Sequence, residues 1–445
     1  MIKRRAAEKD ISVIRRAVAA AAMGNATEWY DFSVVTMLSA LYYPRNYWVS
    51  FIVLALGFVM RTPGGIYLGP LGDKIGRQKI LIATVLMMSG GTVTMGLLPK
   101  FDGRYQSGAL ALAILLRMAQ GFFTGGEYVG AATFMAEYAP TRKRGFYGSF
   151  LEVGTLTGYI IGILVVLAVS VGPMKPFFHD WGWRIPFLLA APFGLTGLFL
   201  RLKLQDTPTF RAALSSSGKA ERPPVRAIIT GHWRMIVNLI GIVMLLNIAD
   251  YLLLTTMPGY FSTTLGANGT ASMLILVLVE TIMLVTLPFL GMLSDRVGRK
   301  PLLITSTVGY IVLSYPSFRL METHTFAGLI VGFLVMGLLL ALLLAVIAST
   351  FPAMFPTRTR YGAMAIGYNV STTIFGSITS PVVKYLPHAT GLTSLPAFYL
   401  MLAAAVALIP VLLIPETKGV PMDKIKSYNF LSFPNKLAYA DTDAD

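Results

Sequence analysis

The stretch GPLGDKIGRQK, residues 69–79, recurs as GMLSDRVGRKP at residues 291–301. Four of its residues return at one constant offset: Gly69, Asp73, Gly76 and Arg77 correspond to Gly291, Asp295, Gly298 and Arg299. A second pair, PTRKRG at 140–145 and PTRTRYG at 356–362, repeats in the same order. Both pairs occupy equivalent places in the two halves of the chain. The sequence therefore predicts a duplicated fold.

The composition around these repeats is that of a membrane protein. Of the 445 residues, 55% are hydrophobic and 13% are charged, whereas soluble domains have about 25% charged residues. Twelve apolar runs reach the ~20 residues that a bilayer-spanning helix needs. We predict an all-α membrane protein with twelve transmembrane helices in two pseudo-repeated six-helix halves. The predicted divisions are a first half (1–203), a cytoplasmic linker (204–232), a second half (233–417) and a cytoplasmic tail (418–445).

The positive charge is explained by membrane topology. Most of the 37 Lys and Arg residues fall in the N-terminus, the tail and the alternate loops that lie on the same side. Because basic loops stay in the cytoplasm, both termini are expected to be cytoplasmic. The net charge of +16 therefore predicts a lipid-bilayer partner and no nucleic acid.

The repeated loops predict a cytoplasmic gate. Glycine permits a tight turn, and Asp73 at the end of the second span can meet an arginine or the positive N-terminus of another helix. Such a contact would stabilise one conformation by about 1–3 kcal/mol; the alternative is a solvated turn. The predicted gate residues are Gly69, Asp73, Gly76, Arg77, Asp295, Gly298, Arg299, Arg142 and Arg358.

Ionisable residues inside predicted spans are candidates for proton coupling, because burial makes a charge costly and its protonation easy to change. On the first span Asn25, Glu28 and Asp31 share one helical face, and Arg117 heads a polar stripe on the fourth. The predicted coupling set is Glu28, Asp31 and Glu127, with Arg117 as their countercharge. Glu28 and Asp31 could instead be structural partners of Arg117, and which of the two exchanges a proton stays open.

Aromatic and polar residues on the same spans predict a solute site. Faces of aromatic rings bind quaternary ammonium groups, and an acid such as Asp250 favours a cationic or zwitterionic solute. The predicted substrate-binding residues are Asn25, Glu28, Trp29, Phe32, Gln120, Thr124, Tyr128, Asn247, Asp250, Tyr251, Tyr368 and Asn369. A further acid, Glu280, is expected near lipid or a helix edge.

Four segments carry a family resemblance: GNATEWYDF (24–32), RMAQGFFTGGEYVGAATFMAEYAPTRKRGFYGS (117–149), DWGWRIPF (180–187) and FPAMFPTRTRYGAMAIGYN (351–369). With the repeated loops, they resemble the major facilitator superfamily and, within it, the metabolite:proton symporter group, above all the proline/glycine-betaine transporters. The resemblance implies a proton-coupled symporter of the bacterial inner membrane that imports an osmolyte by alternating access. Asp250 and Glu280 depart from what we expect of those relatives.

Two other functions remain open. A symporter for an organic acid such as 2-oxoglutarate, citrate or shikimate would use Arg117 and Lys384 as anion partners. A sensor on the same scaffold would bind a solute without transporting it.

Motifs for other chemistry are missing from the sequence. There is no G-x-x-x-x-G-K-[ST] phosphate loop, no H-E-x-x-H and no G-x-S-x-G, and there is no cysteine. We therefore expect no cofactor, no metal site and no enzymatic activity. The oligomeric state is not predicted.

Overall fold

The part of the chain that the structure describes contains twelve long helices, two of them interrupted by a π-helical turn. The computed structural model describes residues 2–42, 47–99, 106–170, 174, 177–204, 206–207, 224–266 and 268–425. The helices are α1 Ile2–Tyr42, α2 Tyr47–Ile75, α3 Arg77–Leu97, α4 Gln106–Tyr138, α5 Arg144–Ser170, α6 Arg184–Leu188 with Ala190–Leu202, α7 Val225–Asp250 continuing through Met257–Thr263, α8 Gly269–Val297, α9 Arg299–Met321, α10 Phe326–Thr350, α11 Arg360–Ser371 continuing through Ser377–Thr390, and α12 Leu395–Leu413. Ten of these helices have the length and hydropathy of a membrane span, and α1 and α11 are the other two.

The duplicated loops fold in the same way in both halves, as the sequence predicts. A single residue separates α2 from α3 and α8 from α9, and it is Gly76 (φ 106°) in the first loop and Gly298 (φ 110°) in the second. At these φ values only glycine fits without strain. We call the end of the bundle that carries these two loops the motif face.

A matched pair of acids, which the sequence analysis missed, covers the two loops. Asp206, beyond α6, accepts a hydrogen bond from the Gln78 amide (3.0 Å) at the start of α3. Glu416, beyond α12, accepts from the Arg299 and Lys300 amides (3.0 and 2.9 Å) at the start of α9. Each acid satisfies amides that the first turn of a helix leaves unpaired.

Close helix contacts fix which side of α1 faces inward. A Cβ atom on Gly158 of α5 would lie 2.1 Å from the carbonyl oxygen of Ala26, so glycine lets the two backbones touch. Between the halves, α5 packs against α8 and α2 packs against α11. The strongest contacts of α1 are with α5, α6 and α4 of its own half.

The linker between the halves is shorter than the predicted range 204–232, because α7 begins at Val225. Residues 225–232, which we assigned to it, are the first turns of α7, and Pro224 with φ −58° precedes them. The exposed polar residues of this segment suggested a loop rather than a helix. Ile228 is nevertheless buried, so one side of the segment packs against the bundle. The linker residues 205 and 208–223 and the tail residues 426–445 lie outside the described part of the chain.

Two helices contain a π-helical turn near the middle of the bundle. In α7 it spans Tyr251–Thr256, directly after Asp250, and in α11 it spans Thr372–Gly376. Such turns shift the register of the side chains that follow and are frequent at functional sites.

Candidate functional site

Two cavities meet in the middle of the bundle, and both are lined by Glu28 of α1 and Arg61 of α2. The first lies within the first six helices; we call it the N-half cavity. The second lies between the two halves; we call it the central cavity. Besides the shared pair, the N-half cavity is lined by Asp31, Phe32, Leu54, Gly57, Phe58, Met88, Arg117, Gln120, Gly121 and Thr124. The central cavity is lined by Trp29, Tyr128, Glu152, Leu246, Asn247, Asp250, Tyr251, Leu344, Ile347 and Tyr368.

Glu28 and Arg61 form an ion pair where the cavities meet. Arg61 Nη2 lies 3.2 Å from Glu28 Oε1, and the two side chains are 12% and 4% exposed. Glu28 Oε2 has no hydrogen-bond partner among the described residues. The pair is thus held by one contact, and its acid has spare acceptor capacity.

Asp31 is bound more fully, on the side of the N-half cavity. Its Oδ2 accepts from Arg117 Nη1 at 2.9 Å, and its Oδ1 accepts from Gln120 Nε2 at 3.3 Å and from the Thr92 hydroxyl. Both carboxylate oxygens accept hydrogen bonds, and Oδ2 is paired with the positively charged Arg117 guanidinium.

Glu127 lines neither cavity. It bonds with Arg201 at the end of α6 and accepts from the Thr84 hydroxyl. This corrects the predicted charge pairing, in which Arg117 was the countercharge of all three acids. Arg117 pairs with Asp31 alone, while Glu28 pairs with Arg61 and Glu127 pairs with Arg201. The sequence shows that each acid is buried but not which helix supplies its base.

Aromatic rings surround the polar groups of the central cavity. Trp29 and Tyr251 stack with centroids 6.2 Å apart, and Tyr128 and Tyr368 stack at 4.6 Å. Glu152, which the sequence analysis did not include in the site, accepts from the Tyr128 hydroxyl at 2.8 Å. Acids, an arginine and aromatic faces therefore share one space, which suits a solute with both a cationic and an anionic group.

Ten of the twelve predicted substrate-binding residues line one of the two cavities, and two asparagines do not. Asn25 donates to the Leu151 carbonyl (3.1 Å) and so holds α1 against α5. Asn369 donates to the Gly125 carbonyl (2.7 Å) and holds α11 against α4. The Nδ2 atoms of both amides are engaged in helix packing, although Asn25 Oδ1 has no hydrogen-bond partner among the described residues. A helical-face argument cannot separate such packing from solute contact.

Two other expectations need correction. Glu280 is fully buried rather than near lipid or a helix edge, because α8 packs against α5 and α10 on that side. Lys384, a predicted anion partner for an organic acid, is exposed and lines neither cavity.

The two acids of the repeated loops reach across the motif face to helix N-termini of the opposite half. Asp73 of α2 accepts from the Gly362 amide in α11 at 2.8 Å. Asp295 of α8 accepts from the Gly145 and Phe146 amides in α5 at 2.8 and 2.9 Å. Each acid also lies beside the arginine four residues later, Arg77 at 3.5 Å and Arg299 at 2.6 Å. The contact expected from the sequence is present in both halves.

Of the four predicted gate arginines, Arg77 and Arg299 join these contacts, and the other two lie elsewhere on the surface. Arg142 and Arg358 are exposed, whereas Arg144 and Arg360, two residues later, are buried. Arg144 and Arg360 are the first residues of α5 and α11, so their side chains turn under the bundle. Arg144 donates to the Val420 carbonyl (2.9 Å) and Arg360 to the Met422 carbonyl (2.7 Å) in the segment after α12.

Glu137 at the end of α4 was not in the predicted gate, yet it links two buried arginines. It forms ion pairs with Arg77 of its own half and with Arg360 of the other half. At the motif face the two halves are thus joined by charged contacts as well as by the two helix-end acids.

Comparison with known proteins identifies the family. The family model "Sugar (and other) transporter" matches residues 17–223, and the model "Major Facilitator Superfamily" matches residues 239–427. The chain is 39% identical to the glycine betaine/proline/ectoine/pipecolic acid transporter OusA of Dickeya dadantii, over 92% of this chain and 85% of that protein. It is 38% identical to the proline/betaine transporter of Escherichia coli K12, over 93% of this chain and 87% of that protein.

Among solved structures, the fold is similar to that of the major facilitator superfamily proton:xylose symporter XylE bound to a bromo-deoxy-glucose. The TM-score is 0.74 at 19% identity, over 93% of this chain and 98% of that one, which supports the fold alone. The relatives and families are membrane transporters, so the expectation that the chain is not an enzyme is confirmed. The chain is a multi-pass inner-membrane transporter that belongs to the major facilitator superfamily, in the family of the proline/betaine transporters.

Proposed function

We propose that the protein is a proton-coupled symporter that imports a small zwitterionic solute of the proline or glycine betaine type by alternating access. The observation that carries this proposal is the central cavity, where Arg61 and Asp250 face one space walled by Trp29 and Tyr251. A zwitterion needs an anion partner, a cation partner and little room for bulk water. The curated relatives named above transport solutes of this class.

The cavity assigns a partner to each end of such a solute. The solute carboxylate is the natural partner of the Arg61 guanidinium, which can bind both of its oxygens. The onium group is the partner of the stacked Trp29 and Tyr251 rings, with the acid of Asp250 on the same wall. Tyr128 and Tyr368 close the cavity on the side of α4 and α11.

Proton coupling follows from competition for Arg61. With Glu28 ionised, Arg61 is held by that carboxylate at 3.2 Å. When a proton binds Glu28, the charge attraction is lost and Arg61 is released to the solute carboxylate. Proton and solute therefore favour each other's binding, which is the thermodynamic requirement of symport. Asp31 and Glu127 have fuller hydrogen bonding and arginines of their own, and we assign them, with Arg117, the role of holding α1, α3, α4 and α6 in register around Glu28.

The gate and the orientation belong to the same proposal. The segments 1–203 and 225–417 would rock about the central cavity, with the motif face in the cytoplasm together with both termini, as the distribution of basic residues indicates. The contacts of Asp73 and Asp295 would then break when the cytoplasmic side opens.

The rival functions have less support. An organic-acid symporter would need cationic partners in the cavities, but Arg117 is bonded to Asp31 and Lys384 lines neither cavity. A sensor would need no competition between Glu28 and a solute for Arg61.

Uptake into proteoliposomes tests the proposal. Labelled glycine betaine and proline should accumulate when a proton gradient is directed inward, and labelled 2-oxoglutarate and citrate should not. Binding without accumulation of any of the four would favour the sensor; accumulation of the organic acids alone would overturn the zwitterion assignment.

The variant Glu28→Gln tests the coupling residue. It mimics the protonated acid, so gradient-driven accumulation should be lost while solute exchange across the membrane continues. Asp423→Asn, at an exposed carboxyl beyond α12, is the matched control and should accumulate normally. If Glu28→Gln keeps the pH dependence of the parent protein, Glu28 does not carry the coupled proton.

A further inference from the structure

Glu280 lies near the middle of α8 with no polar contact that would balance a charge. Its side chain is fully buried, and within the described part of the chain neither carboxyl oxygen has a hydrogen-bond partner. The neighbouring buried side chains on α8 are apolar, namely Leu276, Val279 and Met283. An ionised carboxylate in such a place is strongly disfavoured unless a cation neutralises it.

The helices that pack against α8 supply acids and phenols near this position but no base. The titratable groups that face this part of the bundle are Asp250 of α7, Glu152 and Tyr159 of α5, and Tyr310 of α9. α10 has no ionisable residue. The arginines and lysines of α5, α8 and α9 lie at the helix ends, as do the basic residues of α7. Asp250 is the charged group that acts on Glu280, and Arg61 of α2, across the central cavity, is the base that acts on Asp250.

Asp250 links Glu280 to the central cavity. It lines that cavity, and its Oδ1 is buried with no hydrogen-bond partner among the described residues. It is also the last residue before the π-helical turn Tyr251–Thr256 in α7. Asp250 thus faces the central cavity, whereas Glu280 is fully buried and lines neither cavity.

We propose that Asp250 and Glu280 form a second proton-binding site, in the C-terminal half, that is separate from Glu28 and takes up a proton in the transport cycle. The proton enters from the cavity onto an Asp250 carboxylate oxygen and moves to the Glu280 carboxylate, which leaves Asp250 ionised and Glu280 neutral. This inference rests on the proposed proton symport for its role in the cycle, although proton binding itself does not depend on transport. A sodium ion fits less well, because it needs several oxygen ligands and the α8 side chains around Glu280 are hydrocarbon.

Infrared spectroscopy of the purified protein tests the site without any transport. The wild-type protein should show the C=O stretching band of a buried protonated carboxylic acid that exchanges with deuterium, and Glu280→Gln should lose it. Asp423→Asn should keep it. An identical band in wild type and Glu280→Gln would overturn the proposal.

Transport measurements test the role of the site. In proteoliposomes, the membrane voltage at which net solute flux stops gives the number of protons moved per solute. Glu280→Gln should lower that number by about one while solute uptake continues, and Asp423→Asn should leave it unchanged. If the number is the same in Glu280→Gln, the acid is a packing residue and the proposal fails although the symport proposal stands. If no solute is taken up at all, the symport proposal fails and the infrared band still decides whether the proton site exists.

Two further outcomes keep the proposal open to failure. Should Glu280→Gln not assemble, Asp250→Asn replaces it, and the pH at which the carboxylic acid band appears must then change; an unchanged band contradicts the link between the two acids. Uptake driven by a sodium gradient at constant pH, and lost in Glu280→Gln, would replace the proton by sodium.

Discussion

The membrane interior of the first half differs from that of the second in how its acids are held. In the first half, three buried acids each bond to an arginine from another helix: Glu28 with Arg61, Asp31 with Arg117 and Glu127 with Arg201. A further buried acid there, Glu152, forms no ion pair within the described residues but accepts hydrogen bonds from the Tyr128 and Thr155 hydroxyls. In the second half, Asp250 and Glu280 form no ion pair within the described residues. A buried pair fixes two helices relative to each other, whereas a buried acid without a base is stable only when neutral.

The motif face shows the opposite pattern, since its two halves match closely. Asp73 and Asp295 cap helix N-termini in the opposite half, and Asp206 and Glu416 cover the loops behind them. The two halves thus match at the motif face, while the pairing of their buried charges differs. Each half contributes an acid to the contacts at the motif face, whereas the central cavity has different charged groups on its two sides.

The largest effect is expected from breaking a pair in the first half. Arg117→Gln leaves the Asp31 carboxylate buried without its base, which costs about 3–5 kcal/mol of stability. Thermal unfolding in detergent should show a much lower midpoint for this variant. The double variant Asp31→Asn/Arg117→Gln removes the stranded charge and should recover most of the loss.

The unpaired acid of the second half provides the contrast. Glu280→Gln should unfold close to the wild-type midpoint, because it removes no ion pair. A loss of stability comparable to that of Arg117→Gln would mean that Glu280 has a strong partner in the folded protein and that the two interiors are alike.

A smaller effect is expected at the gate, and it should be equal in the two halves. Asp73→Asn and Asp295→Asn each remove an anion from a helix N-terminus, which weakens motif-face closure by about 1–3 kcal/mol, or roughly 5- to 150-fold in the conformational equilibrium. The chain has no cysteine, so a single Ser349→Cys at a buried position of α10 beside Gly148 of α5 reports opening by its rate of maleimide labelling.

Labelling of Ser349→Cys should accelerate in both gate variants by similar factors. Arg142→Gln, at an exposed residue of the same face, should leave the rate unchanged and serves as the control. An effect in one gate variant alone would show that the structural symmetry of the motif face is not an energetic symmetry.

The features that could be predicted from the sequence are mostly those of the motif face, and those that could not are mostly the buried pairs of the interior. Repeats, span number and the helix-end contact of Asp73 depend on local pattern, so the motif loops and the fold followed from the residues alone. Partner choice depends on helix rotation and on distances between helices far apart in sequence, so the pairing of Glu28 with Arg61 rather than Arg117 could not be read. The shift from Arg142 to Arg144 likewise depends on the residue at which α5 begins. Glu280 was misplaced because burial within a bundle and exposure to lipid look the same in an apolar segment.

The smallest effect is expected at Glu322, an acid of the second half that lies outside the membrane and does have partners. Burial alone would raise the pKa of its carboxyl, but hydrogen bonds from Ser394 (2.6 Å), Thr393 (2.8 Å) and Arg319 (2.7 Å) outweigh that and hold the pKa below its usual range. A lowered folded-state pKa stabilises the protein above the usual value for glutamate, about 4.3, and that contribution is lost as the pH falls from there through the lowered folded-state pKa. On acidification, the free energy of unfolding of the wild-type protein should therefore fall slightly more than that of Glu322→Gln, and the unfolding midpoint should fall with it. The difference should be less than about 1 kcal/mol, because the arginine of the pair is exposed. If the two proteins respond equally to acid, the water-facing acid gains nothing from its donors, and the contrast between paired and unpaired acids holds only inside the membrane.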